Sequence, residues 1–441
     1  MTGSRITYQN KRIMPIVMDH RVEDRFLAAY ERYQSMNGTS GPLSDLSQKA
    51  IERFAEVGFP TRKNESWKYT NITPVINRTY QIADPETTTV DGIEGLDAYR
   101  AVFVNGLFAP EHSILDGLPS GAVVESLHGA SEDDLIQTHV GTYADYHQEP
   151  FTALNTAFLK DGVVIRVSSG VKLDRPVHII HVITADQPIL VQPRTLIHAG
   201  EGASIQVVYS TELKGSTSAL INAVTEIHVS KEAQVEFSDL QIGTPTTSRV
   251  TNLSVYQQNQ SKFQSDVFTF GGEITRNNLS IHADAEHCES LLHGLFMARE
   301  KSHIDNSTFV DHAKPNCMSS EYYKGILDED AVGVFHGQVL VREDAQLINA
   351  YQTNRSILLT DTARMFSKPA LEIYADDVKC SHGATTGQLD KEGLFYLRSR
   401  GIHEKDARRL MLTSFAGDII EKSPIQALHE VIYGHVDRML S

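Results

Sequence analysis

Cysteine is nearly missing from this chain: Cys288, Cys317 and Cys380 are the only three among 441 residues. An odd, sparse set is no disulfide framework. The three stand too far apart along the chain to match any CxxC-type zinc motif. Long apolar runs are also missing. None approaches the ~18 residues of a spanning helix, and the N-terminus lacks the apolar stretch of a secretory signal, so a cytoplasmic protein without a membrane partner is expected. Residues 1–18 carry Arg5, Lys11 and Arg12 and no acid, and read as a loose leader. Positive charge is in deficit, with 40 basic against 56 acidic residues and a net charge of −16. That leaves no general field to attract nucleic-acid phosphates. No GxxxxGK[ST], GxGxxG or GxSxG occurs, so neither nucleotide hydrolysis nor serine hydrolysis has a motif to rest on.

What is present divides by texture. Asp19 is a candidate N-cap for a helix carrying Phe26, Tyr30 and Tyr33, stopped by Asn37-Gly38. A second helix begins near Ser44, puts Leu46, Ala50, Phe54 and Val57 on one face, and ends at Gly58 and Pro60. Together they suggest a small helical cap. Trp67, the only tryptophan, lies in Pro60-Thr61-Arg62-Lys63-Asn64-Glu65-Ser66-Trp67-Lys68-Tyr69-Thr70 and reads as an anchor holding this loop to the body. From about 100 to 380 short alternating runs such as 163–167, 177–183, 205–209 and 235–240 read as strands, punctuated by Gly, Asn and Asp. No helical-length pattern separates them, which argues against a βαβ sheet. Acid-then-alanine corners recur at Ala203, Ala233, Ala285, Ala331 and Ala345 with irregular spacing. Small corner residues between short strands suit a parallel β-helix, although a sandwich or double jelly roll has similar texture. The C-terminal part returns to helix. Asp390 caps a run through Leu394 and Leu397 that stops at Gly401. A second run from about His403 puts Ala407, Leu410, Met411, Phe415 and Ile419 on one face. Ser423-Pro424 opens a third, with Ile425, Leu428, Ile432 and Val436. Such a tail either seals the open end of a stacked β body or offers a docking platform, and the two are compatible. The expected domains are 1–98, helical with the leader; 99–379, the β-helix core; and 380–441, helical.

Cys380-Ser381-His382 is the candidate site. On a strand, residues 380 and 382 project to the same side, about 7 Å apart along the backbone. A thiolate and an imidazole are usable soft and borderline metal ligands, and Lys379 with His382 could lower the thiol's pKa. A buried Cys beside a surface His is the commoner meaning of CxH spacing. Cys288 and Cys317, with apolar or small neighbours, read as structural thiols. His282, His287, His293, His303 and His312 have no metal spacing and read as surface or corner residues. Asp311, Asp328 and Asp330 are unpaired in sequence and read as turn acids.

The run from Leu371 through Asp376-Asp377-Val378-Lys379-Cys380-Ser381-His382-Gly383-Ala384-Thr385, Gly387-Gln388-Leu389-Asp390 and Leu394-Phe395-Tyr396-Leu397-Arg398-Ser399-Arg400-Gly401-Ile402 resembles the signature of the SufB/SufD family of iron–sulfur cluster assembly scaffolds. Tyr323-Lys324-Gly325-Ile326-Leu327, Val334-Phe335-His336-Gly337 and the Pro60–Thr70 segment resemble it too, in the right order. The resemblance covers about 60–420. It is closer to the SufD branch: SufB-type members carry a Glu-rich His segment where this chain has Cys380-Ser381-His382-Gly383, and an additional upstream cysteine. His336 and Ser66 depart from the expected polar residues.

The resemblance implies a mainly β fold, a right-handed parallel β-helix flanked by N-terminal and C-terminal helical domains. It implies a non-catalytic scaffold of the SufBCD complex that pairs with SufB and binds the SufC ATPase, or forms a homodimer in isolation. His382 matches the position expected to contribute to a transient cluster shared with SufB, with Cys380 adjacent. SufC is expected at about 390–420, including Leu394, Phe395, Tyr396, Arg398, Arg400 and Gly401. Some complexes of the family bind a reduced flavin, which no residue here places. The ligand count agrees: a cluster takes about four ligands, and one exposed Cys/His pair is too few. Two other readings stand beside this one: a SufB-like subunit carrying the cluster itself, or, in another class, a β-helix polysaccharide lyase or hydrolase.

Overall fold

The computed structural model describes residues 21–37, 43–82, 88–215 and 218–440; the leader, the Asp19 cap and the Gly38 stop lie outside them. The centre is a β-solenoid of about eight turns. Two sheets, of twelve and ten strands, form its faces. In the ten-stranded sheet Ser204–Lys214, Gln234–Ile242, Lys262–Phe270, Glu289–Ala298, Met318–Leu327, Ile348–Leu358 and Val378–Gly387 pair in parallel, each with the strand one turn on. Helices lie on both sides of it in sequence.

The turns close through a repeated corner. Gly202, Glu232, Gln260, His287, Asn316 and Leu347 all have φ between 58° and 67°. The backbone N–H of each donates to a carbonyl one turn on, as from Gly202 to Lys231 and from Glu232 to Asn259, both at 2.9 Å. The next residue points inward and is buried: Ala203, Ala233, Ser261, Cys288, Cys317, Ile348. These corners set a nearly even repeat. The alanine series in the sequence is irregular because it mixes positions. Ala331 follows a different corner at Glu329 (φ 54°), and Ala285 and Ala345 stand just before theirs, at His287 and Leu347.

Among the described residues the N-terminal helices and the last two C-terminal helices clad the faces of the solenoid and do not cap its ends. Ala50, Ile51 and Phe54 of the helix Ser44–Val57 pack with Phe26, Phe59, Trp67 and Phe151 over Leu190, Leu220, Val250 and Ile274 of the twelve-stranded sheet. Val57 is exposed, and Ile51 takes its place on the buried face. Two short helices, Asp134–His139 and Pro150–Ala157, join this layer in a region where the sequence showed none. On the other side Leu412, Ala416, Ile419, Ile420, Leu428, Ile432 and Val436 cover Val208, Leu240, Phe268, Leu295 and Ile326. Side chains of this size are worth roughly 1.5–3 kcal/mol each when fully buried. The stripe of Glu404–Ile420 is rotated from the expected one, with Leu412 buried and Leu410 exposed. The last helix starts at Gln426, just after Pro424, and its cap residue is Ile425.

Candidate functional site

The solenoid ends on a free strand. Val378–Gly387 is the last of the ten-stranded sheet, paired on one side to Ile348–Leu358 and on the other to nothing among the described residues. Leu347, Tyr351, Ile373 and Tyr374 are exposed around it, Tyr374 at 64%. An uncovered edge strand presents a row of unpaired N–H and C=O groups, a template for another chain.

Within that strand Cys380 lies opposite Ala350 and His382 opposite Gln352. Ile348, Ala350 and Gln352 are buried and alternate with outward neighbours. Cys380 continues the inward series and packs against the central core; by alternation His382 lies on the same side, exposed because no further turn covers it. Burial pushes the Cys380 thiol up from its ordinary range, so the activated thiol expected from Lys379 and His382 is not realised in this chain alone.

Downstream, Asp390 caps the helix Lys391–Ser399 by accepting from the Glu392 N–H at 3.0 Å. Gly401 ends it at φ 88°, with the Ile402 N–H donating to the Leu397 carbonyl at 3.3 Å. No residue of this helix is buried. Phe395 and Tyr396 are 74% and 57% exposed, and Arg400 stands 5.2 Å from the Tyr396 ring. Arg398 pairs with Glu404 at 3.2 Å. The helix thus presents an exposed aromatic pair beside arginines.

The remaining motifs hold the layers together. Trp67 is buried, stacked on Phe151 at 5.5 Å, with the Arg276 guanidinium 4.3 Å from its ring. Arg276 also donates to the Ser66 carbonyl at 2.8 Å and pairs with buried Asp305, which accepts from Thr70. Lys324 is buried, donates to the Phe415 carbonyl at 2.8 Å and pairs with Asp418, pinning a C-terminal helix to the sheet. Sequence reasoning missed these pairings, because each joins residues distant along the chain and no local signal marks them.

Cys288 and Cys317 are buried one turn apart, and both thiols reach the Ala285 carbonyl at 3.2 Å. Their shared hydrogen bond pushes Cys288 up and holds Cys317 down. His293 and His312, expected as surface or corner residues, are buried on Asp266 and Ser319. Among the described residues no group of three or more His, Cys, Asp or Glu could hold a metal ion. Asp311 is engaged by Arg342 and His282. A cleft of about 400 Å³ gathers Glu300, Glu329, Arg299 and Arg438, where Glu329 is bound by the Glu300 N–H and faces Arg299 at 3.8 Å. Neither Cys380 nor His382 lines it. Among the described residues no helix is long and apolar enough to cross a membrane.

The chain is thus a helix-clad parallel solenoid with a thiol and an imidazole on its last strand. The family described as SUF system FeS cluster assembly, SufBD core domain, matches residues 181–415, and the SufBD protein N-terminal region matches 21–179. The chain belongs to the SufBD family of iron–sulfur cluster assembly proteins. It is similar to a SufBD family protein of Synechocystis sp., 31% identical over 429 residues, covering 93% of this chain and 94% of that protein. It is also similar to two proteins named SufD: that of Escherichia coli, 27% identical over 406 residues (90% and 93% covered), and that of Bacillus subtilis, 23% over 416 (90% and 93%). The chain is SufD-like.

Proposed function

We propose that this chain is a non-catalytic scaffold subunit of a SUF complex. It pairs with a SufB-type solenoid through Val378–Gly387, meets the SufC ATPase through Leu394, Phe395, Tyr396, Arg398, Arg400 and Gly401, and offers His382 and Cys380 to a nascent cluster. The cluster is cargo, built between two chains and handed on. One observation carries the reading: the inward line of the last turn ends in half-buried Cys380 and exposed His382. The chemistry fits. Thiolate and imidazole both bind iron, and a cluster takes about four ligands. Cys288 and Cys317 are walled in, so the missing ligands belong to a second chain. Sharing also makes the site switchable, because an ATPase that moves one scaffold against the other changes ligand geometry. Free thiols of this kind persist in a reducing cytoplasm.

The test is reconstitution of this chain with SufB and SufC, measuring iron and sulfide per complex. His382→Ala with Cys380→Ala should lower cluster yield at least ~10-fold in a complex of normal composition. Unchanged yield contradicts the site. A full cluster on the lone chain favours a SufB-like carrier, and nucleotide hydrolysis by the lone chain contradicts the scaffold reading.

A further inference from the structure

Beneath His382 the solenoid interior is polar, and the side-chain oxygens of Gln352, Asn354 and Ser356 there have no partner; that of Gln352 lies directly under the imidazole. Gln352, directly opposite His382 in the ladder, is 1% exposed. Its Nε2 donates to Glu321 Oε1 at 3.1 Å, one turn further in. Glu321 is equally buried, and its other oxygen accepts from Thr308. With the amide nitrogen committed to Glu321, Gln352 Oε1 is left over, buried and accepting nothing. A buried acceptor without a donor is costly, because it has given up water and gained nothing in return. Room for this amide is kept by Gly337 on the facing sheet, where a Cβ would stand 2.9 Å from Gln352 Nε2. The His382 side chain, on the same inward series, is exposed above it.

We propose that Thr308, Glu321 and Gln352 form a positioning relay for His382: in the assembled complex an imidazole N–H donates to Gln352 Oε1, turning the lone pair of the other ring nitrogen toward the cluster. The inference rests on the reading of His382 as a ligand. A neutral imidazole has one N–H and one lone pair, and the hydrogen bond made by the first decides where the second points. In-register neighbours on a parallel ladder stand about 4.8 Å apart, within reach of a glutamine side chain. With Glu321 ionised the amide cannot simply flip, because its NH2 group is then the donor to that carboxylate. Carboxylate, amide and imidazole then form a chain in which each member fixes the next, as outer-shell partners fix metal-bound histidines elsewhere.

The experiment uses the reconstituted complex with SufB and SufC, loaded with cluster. It reads the histidine nitrogen hyperfine coupling of the reduced cluster and the rate of iron release to a chelator. Gln352→Met, close in volume and without an acceptor, is expected to change the coupling and to speed release on the order of 10-fold. The exchange variant E321Q/Q352E reverses the hydrogen bond but keeps an acceptor under the imidazole, and should restore both readouts. If Gln352→Met fails to assemble, Gln352→Asn, one methylene shorter, should show the same acceleration. Wild-type coupling and release in the Met or Asn variant overturns the relay, as does an exchange variant that releases iron as fast as Gln352→Met. Wild-type behaviour of His382→Ala instead overturns the ligand reading beneath it.

Discussion

The two ends of the solenoid are built on opposite principles. At the first, antiparallel strands close both sheets: Leu107–Phe108 lies against Tyr99–Val104, and Ala122–Ser126 against Val163–Val167. The interior there is mostly apolar, with Ala101, Phe103, Ile165, Ile179 and Ile197 fully buried, although His181 opposite Phe103 is buried with neither ring nitrogen partnered. At the last end Val378–Gly387 has no outer neighbour among the described residues, and the turn below it points Gln352, Asn354 and Ser356 inward. Gln352 Oε1, Asn354 Oδ1 and Ser356 Oγ are buried there without partners. Blunting an edge prevents unwanted strand pairing; leaving one open, over an interior short of hydrogen bonds, favours a specific occupant. On the proposed reading the first end serves folding and the last serves assembly.

The contrast breaks most easily at the first end. Phe103→Ala should cost ~3–5 kcal/mol, read as a lowered urea midpoint. A loss below ~1 kcal/mol would mean that this end is not the stabilising one. The polar end has a pH signature. Burial pushes Glu321 up to about 7 from an ordinary 4.5, so the folded chain holds a proton that the unfolded chain releases. Stability is then greatest below about pH 4.5 and falls as pH rises to about 7, by ~3 kcal/mol. Glu321→Gln removes this dependence: relative to the variant, the wild type should lose stability between pH 5 and pH 8, and a constant difference contradicts the shift. Phe395→Ala with Tyr396→Ala should weaken SufC binding by ~2 kcal/mol, about 30-fold, in a calorimetric titration. The same pair should leave the melting temperature alone, since neither side chain is buried. Smallest of all, Tyr374→Ser at the open end should move folding stability by no more than ~0.5 kcal/mol.

The strands were legible because alternation and Gly-rich punctuation are local signals. The repeat was not. Left-handed corner positions are filled by Gly202, Glu232, Gln260, His287, Asn316 and Leu347, which have nothing in common but backbone conformation. An amphipathic stripe says that a helix buries one face, not against what, so the N-terminal helices read as a cap and the C-terminal ones as a seal or a docking platform, and both sets are found packed on the faces of the solenoid. Cys380 and His382 were visible because strand alternation alone puts them on one side. Glu321 and Gln352 were not: polar residues in a strand read as surface, and only closure of the turns carries them inside.

The most direct measurement is hydrogen exchange over 378–387 in the chain alone and in complex with a SufB-type partner. The account expects the outward amides of Val378–Gly387 to exchange rapidly in the free chain and to become protected on pairing. Protection confined to the C-terminal helices, with this strand unchanged in a complex of full composition, would contradict it.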